Sequence, residues 1–160
     1  MRRWIRAAGS AVLGLAMLGA AGEMETATVT MAKGYDRGAG FGVATVQQYY
    51  LLPDDANCRR QKRLAVFNMM TGASTTKPVP AGAPINIYAA VERGNAFAQG
   101  VCQNNVIFTP LAGHAYTVLQ RSVVWDSCRI EVIDTTTNAA PADLKQDNSV
   151  ECIKTAKPNN

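Results

Sequence analysis

The sequence predicts a single all-β domain, folded as a sandwich of two sheets. Short segments rich in β-branched and aromatic residues recur along the chain. Clusters of Pro, Gly, Asp, Asn and Ser separate them, and no long amphipathic helical pattern interrupts the series. The spacing predicts about seven strands.

The N-terminus has the layout of a secretory signal peptide. Arg2, Arg3 and Arg6 precede a mostly apolar run over 7–21, which ends in small residues. That run is too short to span a bilayer, so we expect cleavage after about residue 21 or 22 and a periplasmic or secreted protein without a membrane span. Three of the 16 basic residues and none of the 12 acidic ones lie in the signal, which lowers the net charge from +4 to +1. A charge of that size gives no reason to expect a nucleic-acid partner.

The strand segments follow one another from residue 27 onwards. In 84–91, for example, Ile85, Ile87 and Ala89 alternate with residues of the opposite face, as in a strand with one buried side. We expect the sandwich domain to cover 27–153 and a flexible tail to cover 154–160. The predicted strands are 27–31, 43–52, 64–67, 84–91, 101–108, 115–124 and 128–134.

The cysteines predict disulfide bonds. The mature part carries four of them, an even number that in an exported protein indicates two bridges. They stand 24 to 44 residues apart along the chain, whereas structural zinc sites use closely spaced pairs. We therefore expect no metal and no cofactor. Sequence alone leaves three pairings open among Cys58, Cys102, Cys128 and Cys152.

One segment is more specific. It reads Phe108-Thr-Pro110-Leu-Ala-Gly113-His-Ala-Tyr116-Thr-Val118. It resembles the corner between strands E and F of fibronectin type III and immunoglobulin-like domains, where the hydroxyl of a tyrosine bonds to upstream backbone. The resemblance implies an immunoglobulin-like β-sandwich in which Pro110, Gly113 and Tyr116 form the structural corner. Val118 stands where a true immunoglobulin domain has its second cysteine, so the usual inter-sheet bridge is not expected.

The resemblance also implies a disulfide pairing. With those labels Cys102 opens strand E and Cys128 opens strand G, at the same end of the sandwich. We expect a Cys102–Cys128 bridge on that basis, with Cys58–Cys152 tying the C-terminal tail to an earlier strand. The arrangement of Cys102, Tyr116 and Cys128 along the sequence also resembles that in small exported proteins of Gram-negative bacteria.

Catalytic residues are not evident. His114 is the single histidine of the chain, and we interpret it as an exposed polar residue beside Tyr116. No G-x-S-x-G motif occurs. Asp54 and Asp55 are adjacent in a turn led by proline, which they are expected to shape and solvate. The glycine-rich stretch 38–42 lacks the spacing of a nucleotide-binding loop. We expect no catalytic residue and no metal ligand.

The densest charge is the best candidate for a binding site. Arg59, Arg60, Lys62 and Arg63 place four cations within five residues, which could hold phosphate, sulfate or an acidic surface. The alternative is a solvated loop balanced by Asp54 and Asp55. Tyr49 and Tyr50 form the main aromatic cluster, and as neighbours in a strand they point to opposite faces.

Three functions follow from these patterns, in order of preference. The first is an exported, non-catalytic binding or structural module of the bacterial cell envelope, with an envelope protein or an anionic glycan as partner. The second is an inhibitor of secreted hydrolases that presents a loop such as 68–80. The third is a small hydrolase whose site assembles only in three dimensions.

Overall fold

The computed structural model describes residues 25–35, 44–52, 61–68, 70–95, 99–124 and 127–147. The predicted signal peptide over 1–21 and the tail over 154–160 lie outside these ranges. So do several candidate residues: Gly38, Gly40, Gly42, Asp54, Asp55, Cys58, Arg59, Arg60 and Cys152.

Nine strands occur in the described part of the chain. Their bounds, in order, are β1 Thr26–Ala32, β2 Ala44–Leu52, β3 Lys62–Phe67, β4 Ser74–Pro80, β5 Ile85–Gly94, β6 Gln99–Phe108, β7 Ala115–Val124, β8 Ser127–Asp134 and β9 Lys145–Gln146. The described ranges contain no helix, and so none long and apolar enough to cross a membrane.

The strands form two sheets, which we call sheet A and sheet B. Sheet A has the order β4-β1-β7-β8, and sheet B has the order β3-β2-β5-β6-β9. All neighbours are antiparallel except β1 and β7, which are parallel. The chain thus changes sheet between β3 and β4 and returns with β5, a connection that puts β5 beside β2.

All seven predicted segments form strands, and two further strands add to them. The extra strands are β4 and β9. The sequence does not predict β4 as a strand, because it contains Pro78 and Pro80 and proline is avoided inside sheets. The structure accommodates them since β4 is an edge strand that pairs only with β1. We expected a loop over 68–80. The structure instead places 74–80 in β4, so only the connection before Ser74 is a loop.

An apolar core lies between the two sheets. In β1, Ala27, Val29 and Met31 are buried while the residues between them are more exposed, which is the period-2 pattern of a half-buried strand. The same core cluster contains Ile87 of sheet B and Val118 of sheet A. The burial of both inner faces in one cluster gives the sandwich its two layers.

A polar network crosses this core. Gln47 and Tyr49 on β2 meet Gln120 on β7, and all three side chains are fully buried. The Tyr49 hydroxyl donates to the Ala32 carbonyl at 2.8 Å and accepts from the Gln120 N–H at 2.8 Å. Burial raises the pKa of Tyr49, and the Gln120 hydrogen bond lowers it by less, so the hydroxyl stays protonated. Satisfied polar groups of this kind tie one sheet to the other.

Gln47 and Gln120 complete the network. The Gln47 side-chain N–H donates to the Gln120 carbonyl at 2.8 Å, and its oxygen accepts from the Gly34 N–H at 2.9 Å. The Gln120 side chain in turn donates to Asn104 Oδ1 at 3.0 Å and to the Ala89 carbonyl at 3.1 Å. The backbones of β1, β2, β5, β6 and β7 are thereby held in fixed positions around one buried site.

One side of the sandwich is closed by a disulfide. Cys102 on β6 and Cys128 on β8 are bonded, with their Cα atoms 5.9 Å apart, so the predicted Cys102–Cys128 bridge is confirmed. Beside it, Asn104 Nδ2 donates to the Cys128 carbonyl at 3.3 Å and Gln146 Nε2 donates to the Ile130 carbonyl at 3.1 Å. Covalent and polar contacts therefore join sheet B to the outer edge of β8.

The strand order of both sheets differs from that of the immunoglobulin fold, in which strand F lies between strands C and G and has no parallel neighbour like β1. There strand E lies between strands D and B, whereas β6 lies between β5 and the two-residue β9. The separation of β6 from β7 into different sheets and the β7–β8 pairing do match strands E, F and G. The immunoglobulin-like assignment stays a prediction.

Candidate functional site

The turn between β6 and β7 is a rigid corner. The Tyr116 hydroxyl accepts from the Leu111 N–H at 2.9 Å, five residues upstream. Gly113 has a φ of 73°, a left-handed conformation that favours glycine. The Pro110 carbonyl accepts from the Gly82 N–H at 2.9 Å. These bonds fix the position of every residue that the corner presents.

His114 is paired at this corner with an acidic residue of the next strand. Its Nδ1 lies 2.7 Å from Asp134 Oδ2, and its ring stacks on Tyr116 at 6.3 Å between centroids. We expected an exposed polar residue, but the side chain is half-buried. Its partner stands 20 residues away in the sequence, and the pairing of Tyr116 with Asp134 in the β7–β8 register brings the two together.

Asp134 is an ionised carboxylate in a buried position. Burial raises its pKa, but hydrogen bonds from His114 and from the Thr136 N–H, at 2.8 Å, outweigh that effect. The pKa therefore lies below its ordinary value. Because an ionised carboxylate only accepts hydrogen bonds, His114 Nδ1 carries the proton and donates.

A cavity of about 400 Å³ opens beside this pair. Its lining is mostly apolar and includes Leu111, Tyr116 and Pro141, with the carboxylates of Asp134 and Asp143 as its charged groups. Asp143 Oδ2 also accepts from the Thr109 N–H at 2.9 Å, which ties the two walls together. We call this cavity the corner pocket.

The contacts that His114 makes with described residues do not assemble a nucleophile. A serine-type triad needs a hydroxyl on the ring nitrogen opposite the carboxylate. The nearby hydroxyls of Thr135 and Thr136 instead bond to the Ala115 backbone, at 2.9 and 3.2 Å. Within the described ranges, no group of three or more His, Cys, Asp or Glu side chains is arranged to hold a metal ion. The geometry gives His114 a role in fixing the corner.

The basic segment reaches the described structure only in part. Lys62 and Arg63 lie exposed on β3, an edge strand of sheet B, while Arg59 and Arg60 lie outside the described residues. Arg63 is in register with Tyr50 of β2. The segment that we interpreted as a charged loop thus includes the start of a strand, and it brings Arg63 beside an aromatic ring.

Tyr49 and Tyr50 point to opposite faces of sheet B. Tyr49 is in the core, and Tyr50 is half-buried on the outer face, packed against the cluster of Leu52, Tyr88 and Ala90. Its ring centroid lies 6.2 Å from that of Tyr88 on β5. Burial raises the pKa of Tyr50, the charge of Arg63 lowers it by less, and Glu92 adds to the rise. The hydroxyl is therefore a neutral donor.

The register places four side chains in one line across the outer face. Arg63, Tyr50, Tyr88 and Asn105 occupy paired positions on β3, β2, β5 and β6. We call this line the aromatic row. Tyr88 and Asn105 are fully buried, Tyr50 is half-buried and Arg63 is exposed. The row is therefore accessible to solvent at its β3 end.

Hydrogen-bonding side chains flank the open end. The Tyr50 hydroxyl donates to the Gln48 side-chain oxygen. The Gln48 amide donates in turn to Glu92 Oε1 at 2.9 Å. Sequence reasoning missed Gln48 and Glu92. Strand alternation puts Gln48 on the face of Tyr50, but only the β2–β5 register adds Glu92 to that face.

Comparison with known proteins finds no match, either to a family model or to a curated protein. The corner pocket and the aromatic row are two places where described polar and apolar side chains share an accessible surface.

Proposed function

We propose that the protein is an exported, non-catalytic binding module of the bacterial cell envelope, and that its ligand is an anionic glycan held at the open end of the aromatic row. One observation carries the proposal. The exposed guanidinium of Arg63 stands in register with the half-buried ring of Tyr50, with the exposed Lys62 next to it in the chain. A cation beside a partly open aromatic ring suits a sugar that carries a negative charge.

The flanking side chains favour a glycan over an acidic protein surface. A sugar ring presents an apolar face that can lie on an aromatic side chain, and its hydroxyls both donate and accept hydrogen bonds. Gln48 supplies amide donors and an acceptor close to the Tyr50 ring, and the hydrogen bond to Glu92 holds the amide in position. An envelope protein as the partner is the alternative, and it would use the charges of Lys62 and Arg63 without needing the ring.

Export is supported by two independent features. The basic and apolar N-terminal pattern is typical of a signal peptide. The Cys102–Cys128 disulfide is typical of an oxidising compartment. Scaffolds of this kind function through loops and surfaces, which agrees with a binding role at the edge of a sheet.

We expect Lys62→Gln/Arg63→Gln to weaken binding of a galacturonic acid hexamer about tenfold at low ionic strength, since two attractive charges are lost. Titration calorimetry on the disulfide-intact mature protein measures the affinity. The difference between the variant and the wild type should shrink as salt is added, because exposed charges are screened. A neutral galactose hexamer should bind more weakly than the acidic one.

The control is Lys77→Gln/Arg121→Gln, which removes the same two types of charge from exposed positions of sheet A. It should bind the acidic hexamer like the wild type. If both double variants lost the same affinity for the acidic hexamer, the overall charge of the protein and not the β3 edge would explain the binding. Equal binding by all three proteins would exclude the β3 edge as the site.

Inhibition of a secreted hydrolase is the second candidate, and the turn before β4 favours it. Met70 is 94% exposed there. The Asn68 side-chain oxygen accepts from the Met70 N–H at 2.8 Å and from the Thr71 N–H at 3.1 Å. Thr71 Oγ1 bonds back to both backbone groups of Asn68. An apolar side chain on a pre-ordered turn enters a cleft at small entropic cost.

The Met70 hypothesis predicts nanomolar, one-to-one inhibition of a secreted endopeptidase that accepts an apolar residue in its specificity pocket. Met70→Asp should raise the inhibition constant by at least about a hundredfold, because a carboxylate would be desolvated there. Thr28→Asp changes an exposed residue of β1 and serves as the matched control. The hypothesis is ruled out if the wild-type protein leaves the activity of every endopeptidase in a panel unchanged.

A further inference from the structure

The corner pocket is a second candidate ligand site, and it shares no residue with the aromatic row. Its volume of about 400 Å³ exceeds what a bare ion needs. Leu111, which is 54% exposed, and Pro141 supply apolar wall on opposite sides of the opening. Apolar walls with a few convergent polar groups are typical of small-ligand sites.

The walls are held in place before any ligand arrives. One wall is the corner turn, which the Leu111–Tyr116 hydrogen bond fixes. The other is the connection between β8 and β9, where the Asp134 N–H donates to the Ala139 carbonyl at 2.8 Å and the Leu144 N–H donates to the Pro141 carbonyl at 3.1 Å. The Thr109–Asp143 bond joins the two walls. A preformed cavity of this kind requires little ordering on binding.

The charge of the lining selects the ligand. Among the described residues, its charged groups are the carboxylates of Asp134 and Asp143, and no lysine or arginine lines the cavity. His114 faces Asp134 at 2.7 Å and satisfies one of its oxygens. Asp143 is exposed and uses one oxygen for Thr109, which leaves it the better placed of the two to accept from a ligand.

We propose that the corner pocket binds an ammonium or guanidinium group carried on a short apolar stem. The cation lies against the Asp143 carboxylate, and the stem packs on Leu111, Pro141 and the edge of Tyr116. Such a group can belong to a free alkylamine or to a lysine or arginine side chain of a partner protein. An anion would meet two carboxylates in the same cavity, and a small neutral polar molecule would leave the apolar wall uncovered.

The test compares n-butylammonium with n-butyrate, which have similar stems and opposite charges, in ¹H–¹⁵N NMR titrations of the mature protein at neutral pH. We expect saturable shifts of the Leu111, Thr137 and Ala142 amides with n-butylammonium, at millimolar affinity, and none with n-butyrate. A second pair of probes, blocked lysine and blocked norleucine, tests the partner side chain as the source. Shifts with blocked lysine indicate a partner's side chain, and shifts with n-butylammonium alone indicate a free amine.

Two variants with the same change in net charge decide the site. Asp143→Asn keeps an oxygen that can accept from Thr109 and should weaken n-butylammonium binding about fivefold. Glu131→Gln changes a carboxylate of β8 that does not line the pocket, and it should bind like the wild type. Equal shifts with n-butyrate, or equal affinities of the two variants, would overturn the proposal. Neither result depends on the aromatic row, so the two sites stand or fall separately.

Discussion

Gly34→Ala is expected to destabilise the protein by about 3 kcal/mol or more, the cost of a severe overlap in a packed interior. A Cβ at this position would lie 1.8 Å from the Gln120 carbonyl oxygen and 2.7 Å from its carbon. Neither partner is free to move away. The Gly34 N–H is bonded to Gln47, and the Gln120 backbone is bonded to Gln47 and Tyr49.

Urea unfolding followed by far-ultraviolet circular dichroism measures the loss, and Gly72→Ala is its control. A Cβ at Gly72 meets nothing within 4 Å, so that variant should stay within about 0.5 kcal/mol of the wild type. The same unfolding midpoint for both variants would show that the approach of the Gly34 backbone to β7 does not constrain the fold. If Gly34→Ala does not fold at all, the Gly72→Ala result still shows that the loss is specific to the position.

Removal of the inter-sheet bridge is expected to have the second large effect. The double variant Cys102→Ala/Cys128→Ala opens a loop with a sequence separation of 26 residues. Closing a loop of that length in the unfolded chain stabilises the folded protein by about 3.5 kcal/mol. The hydrogen bonds from Asn104 and Gln146 to the β8 edge remain, so we expect a weakened but folded sandwich.

Thermal unfolding with and without a thiol reductant distinguishes the bridge from the loss of side-chain packing. The reductant should lower the midpoint of the wild type strongly and that of the double variant much less. A wild-type midpoint that the reductant leaves unchanged would contradict a stabilising bridge. Non-reducing peptide mapping on the same samples tests the predicted Cys58–Cys152 pairing, and a Cys58–Cys102 peptide would exclude both bridges.

Local patterns predicted the strands well, because a strand that is buried on one side marks every second residue as apolar. Ile85, Ile87 and Ala89 alternate in this way in the sequence and lie in β5, but the expected wetter face is wrong, because the structure buries every residue over 85–91. β4 escaped prediction because an edge strand needs neither an inward apolar run nor a full set of N–H donors, and Pro78 and Pro80 fit there. The two-residue β9 is too short to leave any pattern.

The candidate sites were harder to predict, since they depend on register. Tyr50 pairs with Arg63 next to an irregularity in the β2–β3 register, and the spacing of residues in the sequence does not predict such an irregularity. His114 and Asp134 meet only because β7 and β8 pair at that position. The buried Gln47 and Gln120 look in the sequence like solvent-facing residues. Their burial follows from the mutual hydrogen bonds that the fold alone creates.

Three edge strands in the described part of the sandwich, β4, β8 and β3, are poor templates for a strand from another molecule. Pro78 and Pro80 remove two N–H donors from the outer side of β4. On β8 the carbonyls of Cys128 and Ile130 already accept from side chains of sheet B. The third edge, β3, begins with exposed cations and pairs irregularly with β2. Such edges oppose intermolecular β-sheet growth, so we do not expect copies of the protein in a crowded surrounding to pair through β4, β8 or β3.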